Sequence, residues 1–276
     1  MEIISDYLVD GTLRRSFNAL AGEVFGLDFE PWYQGGWSGK YCPYSVVAGG
    51  QVVSNVSLNR IDCLLDGQPR HYVQLGTVMT GPEYRGRGYC RRLMERVLAD
   101  CRDCDGVFLY ANDSVLDFYP KFGFQPSREY RYRRTLAGAA RAAVARVSGG
   151  GRDLPLEAGQ GLLRLDTEGL LMFYLGGPMA ENVYYHPAST AYVVAELVHG
   201  LLTVYGVFCR QEVDLADLCR AFGPGVERVE LAFTPADRAG WEEYEHREED
   251  TTLFLRGRPL VEDLKIFRGF PELAHA

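Results

Sequence analysis

Between His71 and Arg102 the chain passes from a strand period to a helix period across a short glycine loop, and few folds accommodate that. His71-Tyr-Val-Gln-Leu-Gly-Thr-Val-Met-Thr80 reads as a strand ended by Gly81-Pro82. Leu93, Val97 and Cys101, with Met94 and Leu98 beside them, form one apolar face of a helix running from about Gly88 to Arg102. The loop between them holds Gly86 and Gly88, which allow positive φ and close approach of a ligand to the backbone. A helix's first turn leaves N–H groups without partners at the positive end of its dipole, so this connection suits a phosphate or pyrophosphate. Arg85, Arg87 and Arg91 add positive charge inside a chain whose net charge is −8. Spacing separates the cradle from better-known ones. A P-loop needs Lys and Ser/Thr where Tyr89 and Cys90 stand. A dinucleotide fingerprint needs a small residue at Arg91 and a parallel βαβ setting, and a kinase glycine loop lies between two strands.

The flanking segments supply the rest of a layered fold. Leu13, Phe17, Leu20 and Val24 have helical spacing, and Phe29-Glu-Pro-Trp-Tyr-Gln-Gly-Gly-Trp-Ser-Gly39 reads as an aromatic loop. Strands at 44–48, 51–65 and 70–80, separated by Gly49-Gly50 and Asp66-Gly67, form a meander. Val107–Tyr110 reads as a strand, Ser114–Phe122 as a short helix ended by Gly123, and Glu129–Arg134 as the strand that closes the sheet. The order implies an α/β sandwich with a mixed central sheet flanked by helices. Ala137–Val147 reads as helix and Ser148-Gly-Gly-Gly151 as a hinge, which divides the chain into residues 1–136, a link at 137–156, and residues 157–276. In the second part, 191–197 and 201–209 read as a hairpin, 213–222 as a helix, 226–233 and 251–256 as strands, and 236–245 as a helix. Its element order resembles the second half of the first part. Where a cradle would fall stands Arg210-Gln-Glu-Val-Asp214, acidic and without glycine, which would repel pyrophosphate.

Arg85-Gly86-Arg87-Gly88-Tyr89-Cys90 resembles the Gln/Arg-x-x-Gly-x-Gly/Ala motif of the GNAT superfamily of N-acetyltransferases, with Cys90 as a small residue in the last place. A second block, Leu109-Tyr-Ala-Asn-Asp-Ser-Val-Leu-Asp-Phe-Tyr-Pro-Lys-Phe-Gly-Phe124, resembles the family's later signature. The resemblance covers residues 1–136 and implies a GNAT fold with acetyl-CoA as cosubstrate. It implies that the backbone of Val78, Met79 and Thr80 pairs with the pantetheine arm. Arg85, Gly86, Arg87, Gly88, Tyr89, Cys90 and Arg91 would hold the pyrophosphate, and Asn112, Ser114, Val115 and Leu116 would line the thioester end. Tyr119 matches the family tyrosine that protonates the departing thiolate, although a buried core tyrosine would look the same in sequence. The region of Asp28, Glu30, Trp32, Tyr33 and Trp37 is where the family places its acceptor-facing loop; the aromatics there would either contact the acceptor or pack the loop. The second part is similar to a degenerate GNAT unit, as in the tandem Eis-type (enhanced intracellular survival) acetyltransferases, some of which bring their C-terminal carboxylate, here that of Ala276, to the active site.

The implied reaction is direct attack of a primary amine, on a small molecule or a peptide, upon the thioester. The strand from His71 to Thr80 lacks the carboxylate that many relatives use as base, which leaves open a non-catalytic acyl-CoA-binding protein. Acidity argues against nucleic acid and anionic membranes, and no segment has the apolar length of a membrane span. The N-terminus lacks a signal-peptide pattern, so a cytoplasmic location is expected. The seven cysteines are irregularly spaced, Cys101 and Cys104 have no second pair nearby, and the five histidines form no zinc motif, so no metal site is expected.

Overall fold

The computed structural model describes residues 2–37, 39–137, 143–147, 159–166 and 168–275. Its first run of elements is β1 (Glu2–Ser5), α1 (Gly11–Phe25), α2 (Glu30–Gly36), β2 (Tyr41–Ala48), β3 (Gln51–Leu65), β4 (Gln68–Thr80), α3 (Tyr89–Asp100), β5 (Gly106–Ala111), β6 (Gln125–Pro126) and β7 (Glu129–Thr135). The second is β8 (Ala145–Arg146), β9 (Leu163–Asp166), α4 (Glu168–Gly176), β10 (Val183–His186), β11 (Ala191–Val198), β12 (Leu201–Phe208), α5 (Leu215–Arg220), β13 (Arg228–Leu231), β14 (Glu242–His246), β15 (Thr252–Arg256) and α6 (Arg258–Phe267). The architecture is mixed α/β, built on two mixed sheets.

The sheets have matching topology. One runs β1-β2-β3-β4-β5-β15-β6, with β9 against the far end of β3, and the other runs β14-β7-β13-β12-β11-β10-β8. In each, an antiparallel meander meets the next strand in parallel: β4 beside β5, and β12 beside β13. The last strand of each half then crosses to the other sheet. β15 lies between β5 and β6, pairing Phe254 with Leu109, while β7 lies between β13 and β14, pairing Tyr132 with Leu231. The expectation that 129–134 closes the first sheet is therefore corrected. The segment is a strand, but its backbone partners belong to the second sheet. Neither 1–136 nor 157–276 contains all the strands of one sheet, and the division at 137–156 cuts the chain without separating the sheets.

Apolar faces explain the layers. Leu93, Met94, Val97 and Leu98 of α3 are buried with Val73, Leu75, Val107 and Leu109 on one face of the first sheet. On the other face, Leu260, Leu264 and Phe267 of α6 pack with Tyr72 and Phe108. A polar bolt fixes α6 there: buried Asp263 accepts from Arg70 Nε and from the Tyr72 hydroxyl, each at 2.7 Å. Phe17, Leu20 and Ala21 of α1 pack beside Met79 at the end of β4.

Other local expectations need correction. The aromatic loop contains α2, with Pro31 in its first turn. The segment 114–122 is two 3₁₀ turns, Asp113–Val115 and Tyr119–Phe122, because Pro120 lacks the N–H that would continue a helix. The stretch 236–245 is not a helix; Gly240 adopts φ +76° and β14 follows it. Of the helix expected at 137–147, Ala145–Arg146 is a strand paired to Tyr184 and Tyr185, and 138–142 lies outside the described residues, as does the hinge at 148–151. Helix α6, unread in the sequence, is amphipathic and enters through Pro259.

Candidate active site

The site begins where β4 and β5 part. Their parallel pairing runs from Tyr72 opposite Gly106 to Leu75 opposite Leu109 and ends there. Immediately beyond, β4 bulges: Ser57 faces Gly76 and Asn55 faces Met79, so two residues of β4, Thr77 and Val78, oppose one of β3. Thr77 takes φ +42°, and buried polar groups hold it there. Asn55 Nδ2 donates to the Thr77 carbonyl at 2.9 Å, the Thr77 hydroxyl donates to Ser57 Oγ at 2.6 Å, and the Tyr41 hydroxyl lies 2.6 Å from Thr77 Oγ1. The bulge turns the end of β4 away from β5 and opens a wedge between them.

Helix α3 starts at the outer edge of that wedge. Gly86 and Gly88 have φ +74° and +76°, so the backbone presents its amides outward without side chains in the way. Gly88 is the N-cap and provides no side-chain acceptor; the first helical bond runs from Arg92 N to Gly88 O. Among the described residues, none accepts a hydrogen bond from the main-chain N–H groups of Gly86 to Arg91. Nearby, Arg85 Nε donates to the Thr80 carbonyl at 3.2 Å and the Arg87 guanidinium lies over the Tyr84 ring. Arg91 lies over the ring of Phe122. The arrangement offers unpaired donors and positive charge at the helix dipole's positive end.

A cavity of about 620 Å³ fills the wedge. Val78, Met79, Thr80 and Cys90 line one wall, and Asn112, Ser114, Val115, Phe118 and Tyr119 another. Leu116 faces the core instead. Asn112 donates to Asp250 Oδ2 at 2.9 Å, which ties this wall to the loop before β15. Tyr119 is 4% exposed, and its hydroxyl makes no hydrogen bond to any described residue. Burial raises its pKa well above the usual tyrosine value, so it stays protonated at neutral pH. Burial also pushes the Cys90 thiol up to about 11, which opposes a nucleophilic thiolate.

The inner walls combine aromatic rings and acids. Phe29, Trp32, Tyr41 and Phe173 stand with neighbouring centroids 5.1–6.4 Å apart. Trp32 Nε1 donates to the Gly169 carbonyl at 2.6 Å, locking α2 to α4. Glu248, Glu272 and His275, from the second half, also face the cavity. Glu272 accepts from Arg131 at 2.6 Å, and burial raises its pKa; burial lowers that of His275 to about 3, leaving a neutral imidazole. Of the five residues expected on the acceptor side, only Trp32 lines the cavity. Glu30 accepts from Arg14 at 2.9 and 3.1 Å, and that guanidinium holds its carboxyl below the usual range. Asp28 accepts from the Glu30 N–H and from Asn18, at the start of α2. Tyr33 sits under Arg14 and against Trp37, whose Nε1 donates to the Tyr41 carbonyl. These residues build the loop that presents Trp32. Ala276 lies outside the described residues.

Residues 15–127 match the acetyltransferase (GNAT) domain family. Over these residues the chain is similar to GNAT acetyltransferase domains. The whole fold is similar to a GCN5-related N-acetyltransferase from Kribbella flavida, at TM-score 0.59 and 20% identity over 98% of this chain and 75% of that one. It is also similar to a probable N-acyltransferase from Enterococcus faecalis (TM-score 0.59, 16% identity, 95% and 74% covered). Eis1 from Mycobacterium abscessus matches at TM-score 0.54 and 15% identity, with 87% and 70% covered. At these identities the likeness is one of fold. No curated protein matches the sequence.

The second half repeats the bulge, with Val194 facing Gly206 and Ala195 facing Val204 so that Tyr205 of β12 is the extra residue, but it lacks the glycine cradle and an open wedge. α5 carries Asp214 as N-cap, whose carboxylate accepts from Ala216 N and Asp217 N and so occupies the place an anion would take. Between β12 and β13 the chain fills its own cleft: Gln160 N bonds Val207 O, Glu272 N bonds Ala232 O, and Leu273 packs against Gly206. A cavity of only about 60 Å³ remains. Glu248, Glu272, Tyr110 and Phe173 were not legible as site residues, since no local pattern marks them. Among the described residues no three His, Cys, Asp or Glu side chains group as a metal site, and no helix is long and apolar enough to cross a membrane.

Proposed function

We propose that the protein is an acetyl-CoA-dependent N-acetyltransferase acting on the primary amine of a small molecule or peptide. The observation that carries this is the row of unpaired amides from Gly86 to Arg91 beside a cavity containing the free hydroxyl of Tyr119. The amides hold the pyrophosphate, Val78 to Thr80 pair with the pantetheine arm, and the thioester reaches the wedge near Cys90 and Tyr119. The acceptor's lone pair attacks the thioester carbonyl, the C–S bond breaks, and the departing thiolate takes the Tyr119 proton. Rings at Phe29, Trp32, Tyr41 and Phe173 and carboxylates at Glu248 and Glu272 suit a cationic amine on an apolar or aromatic body. On this reading residues 1–136 provide the coenzyme cradle and 157–276 a degenerate unit that walls the acceptor side. The seven free thiols fit a reducing, cytoplasmic setting.

The test has two arms. Acetyl-CoA should raise the unfolding temperature of the protein. A thiol-release assay over a panel of cationic amines should then find turnover. Protection without turnover on any amine would favour a non-catalytic acyl-CoA-binding protein, and absence of both would overturn the reading.

A further inference from the structure

An amine that attacks a thioester must lose a proton, and β4 carries no carboxylate in the wedge to receive it. The first sheet instead offers Tyr110, a wall of the acceptor cavity on β5. Its hydroxyl donates to Glu129 Oε1 at 2.9 Å. Glu129 stands at the start of the exchanged strand β7 and lines a second cavity of about 420 Å³ on the far side. The two cavities share Glu248, Thr251 and His275 as walls. The Tyr110–Glu129 hydrogen bond thus joins one cavity to the other.

We propose that Glu129 accepts the acceptor's proton through Tyr110 and releases it into the second cavity. The inference rests on the transferase reading above. In the step, an N–H bond of the ammonium breaks as the Tyr110 oxygen takes that proton, directly or through one water. The original Tyr110 O–H breaks in concert and its proton binds Glu129 Oε1. Tyr110 ends neutral, the amine gains its lone pair, and Glu129 becomes a carboxylic acid that later gives its proton to solvent.

The surroundings of Glu129 suit the task. Burial raises its pKa to about 7, against the lowering effects of the Tyr110 hydroxyl, the Phe270 N–H and Arg131. The charged and titratable groups facing it come from every neighbouring element. Arg131 lies on its own strand and is held by Glu230 and Glu272. His246 is its register partner on β14, Glu248 follows on the loop, and the His275 ring lies tilted against that of Tyr110 with centroids 4.0 Å apart. Both imidazoles are kept neutral by burial, so neither places a competing positive charge beside Glu129. Their Nε2 atoms are buried without a protein partner, and such atoms serve as hydrogen-bond partners for water.

Wild type, Glu129→Gln, Glu129→Asp and Tyr110→Phe are compared by CoA release across the neutral pH range, with acetyl-CoA affinity measured separately. Glu129→Gln and Tyr110→Phe should each lower kcat about a hundredfold at unchanged acetyl-CoA affinity. The double variant should be no worse than either single one. Wild-type kcat should rise with pH through an apparent pKa near 7, a limb that Glu129→Gln removes and Glu129→Asp retains at a shifted position. An unchanged limb in Glu129→Gln overturns the proposal, as does full activity in Tyr110→Phe, which keeps the ring packing if the Gln variant folds poorly. Failure of the transferase reading itself is distinguishable, because wild type would then show no turnover.

Discussion

Tyr119→Phe separates chemistry from packing, because the structure gives the hydroxyl nothing to do in the folded protein. Its ring packs against Phe118, Phe124 and Phe254, with centroids 5.3–6.2 Å away, and phenylalanine keeps those contacts. The hydroxyl has no partner among the described residues, so its removal forfeits none of the ~1 kcal/mol that an internal hydrogen bond contributes. Unfolding temperature and acetyl-CoA affinity should therefore match wild type. Turnover should fall by about a hundredfold, equivalent to about 2.7 kcal/mol of lost transition-state stabilisation. The tyrosine's pKa is raised in the fold, so the acid form persists through neutral pH and is lost only as pH climbs above the usual tyrosine value. The activity difference should accordingly stay constant across the neutral range. Tyr72→Phe is the control, the same chemical edit in a different setting. There the hydroxyl donates to buried Asp263 at 2.7 Å, so stability should drop by about 1–3 kcal/mol while turnover per folded molecule stays unchanged. The assays are thermal unfolding, calorimetric binding and CoA release. Turnover of Tyr119→Phe within about threefold of wild type would refute the acid role and reduce Tyr119 to packing.

Gly88→Asp should cost about 1 kcal/mol of backbone strain at φ +76° yet fold, since its Cβ meets no neighbouring atom and Asp is among the side chains that tolerate this region best, and it places a carboxylate at the mouth of α3 much as Asp214 stands at α5. The shift in unfolding temperature on adding acetyl-CoA should vanish, and a retained shift would count against the cradle. Residues 1–136 expressed alone should aggregate, because Phe108 and Leu109 of β5 lose their partners Leu255 and Phe254; a monomer with cooperative unfolding would contradict the strand exchange. Glu129→Gln should also alter stability with a defined sign. The carboxyl's pKa is raised from 4.5 to about 7, so the wild-type fold is favoured below the lower value and loses that advantage as pH rises through the higher one. A rise of that size is worth roughly 3 kcal/mol, so the Gln variant should gain on wild type above neutrality, and a pH-independent gap would refute the burial of an ionisable group there.

How legible the molecule was depended on whether a feature is local. The change of period from β4 to α3 and the left-handed glycines at 86 and 88 are properties of one continuous segment, and both were readable there. So was the acidic start of α5, which turned out to cap its own helix. Segments whose pattern is ambiguous were misread: 236–245 gave a strand once Gly240 turned the chain, and Pro120 split the expected helix at 114–122.

By itself, then, the sequence determined where left-handed glycines lead into α3 and which face of α3 is buried, because backbone conformation and apolar spacing act within a few residues. Only the tertiary structure decided that β7 and β15 trade sheets, since a strand's alternation is satisfied equally by any edge that offers matching N–H and C=O groups. That exchange, with the docked tail, brings Glu248, Glu272 and His275 to the wedge and sets Glu129 behind Tyr110. The inner walls of the wedge are thus made by long-range packing of the second half against the first.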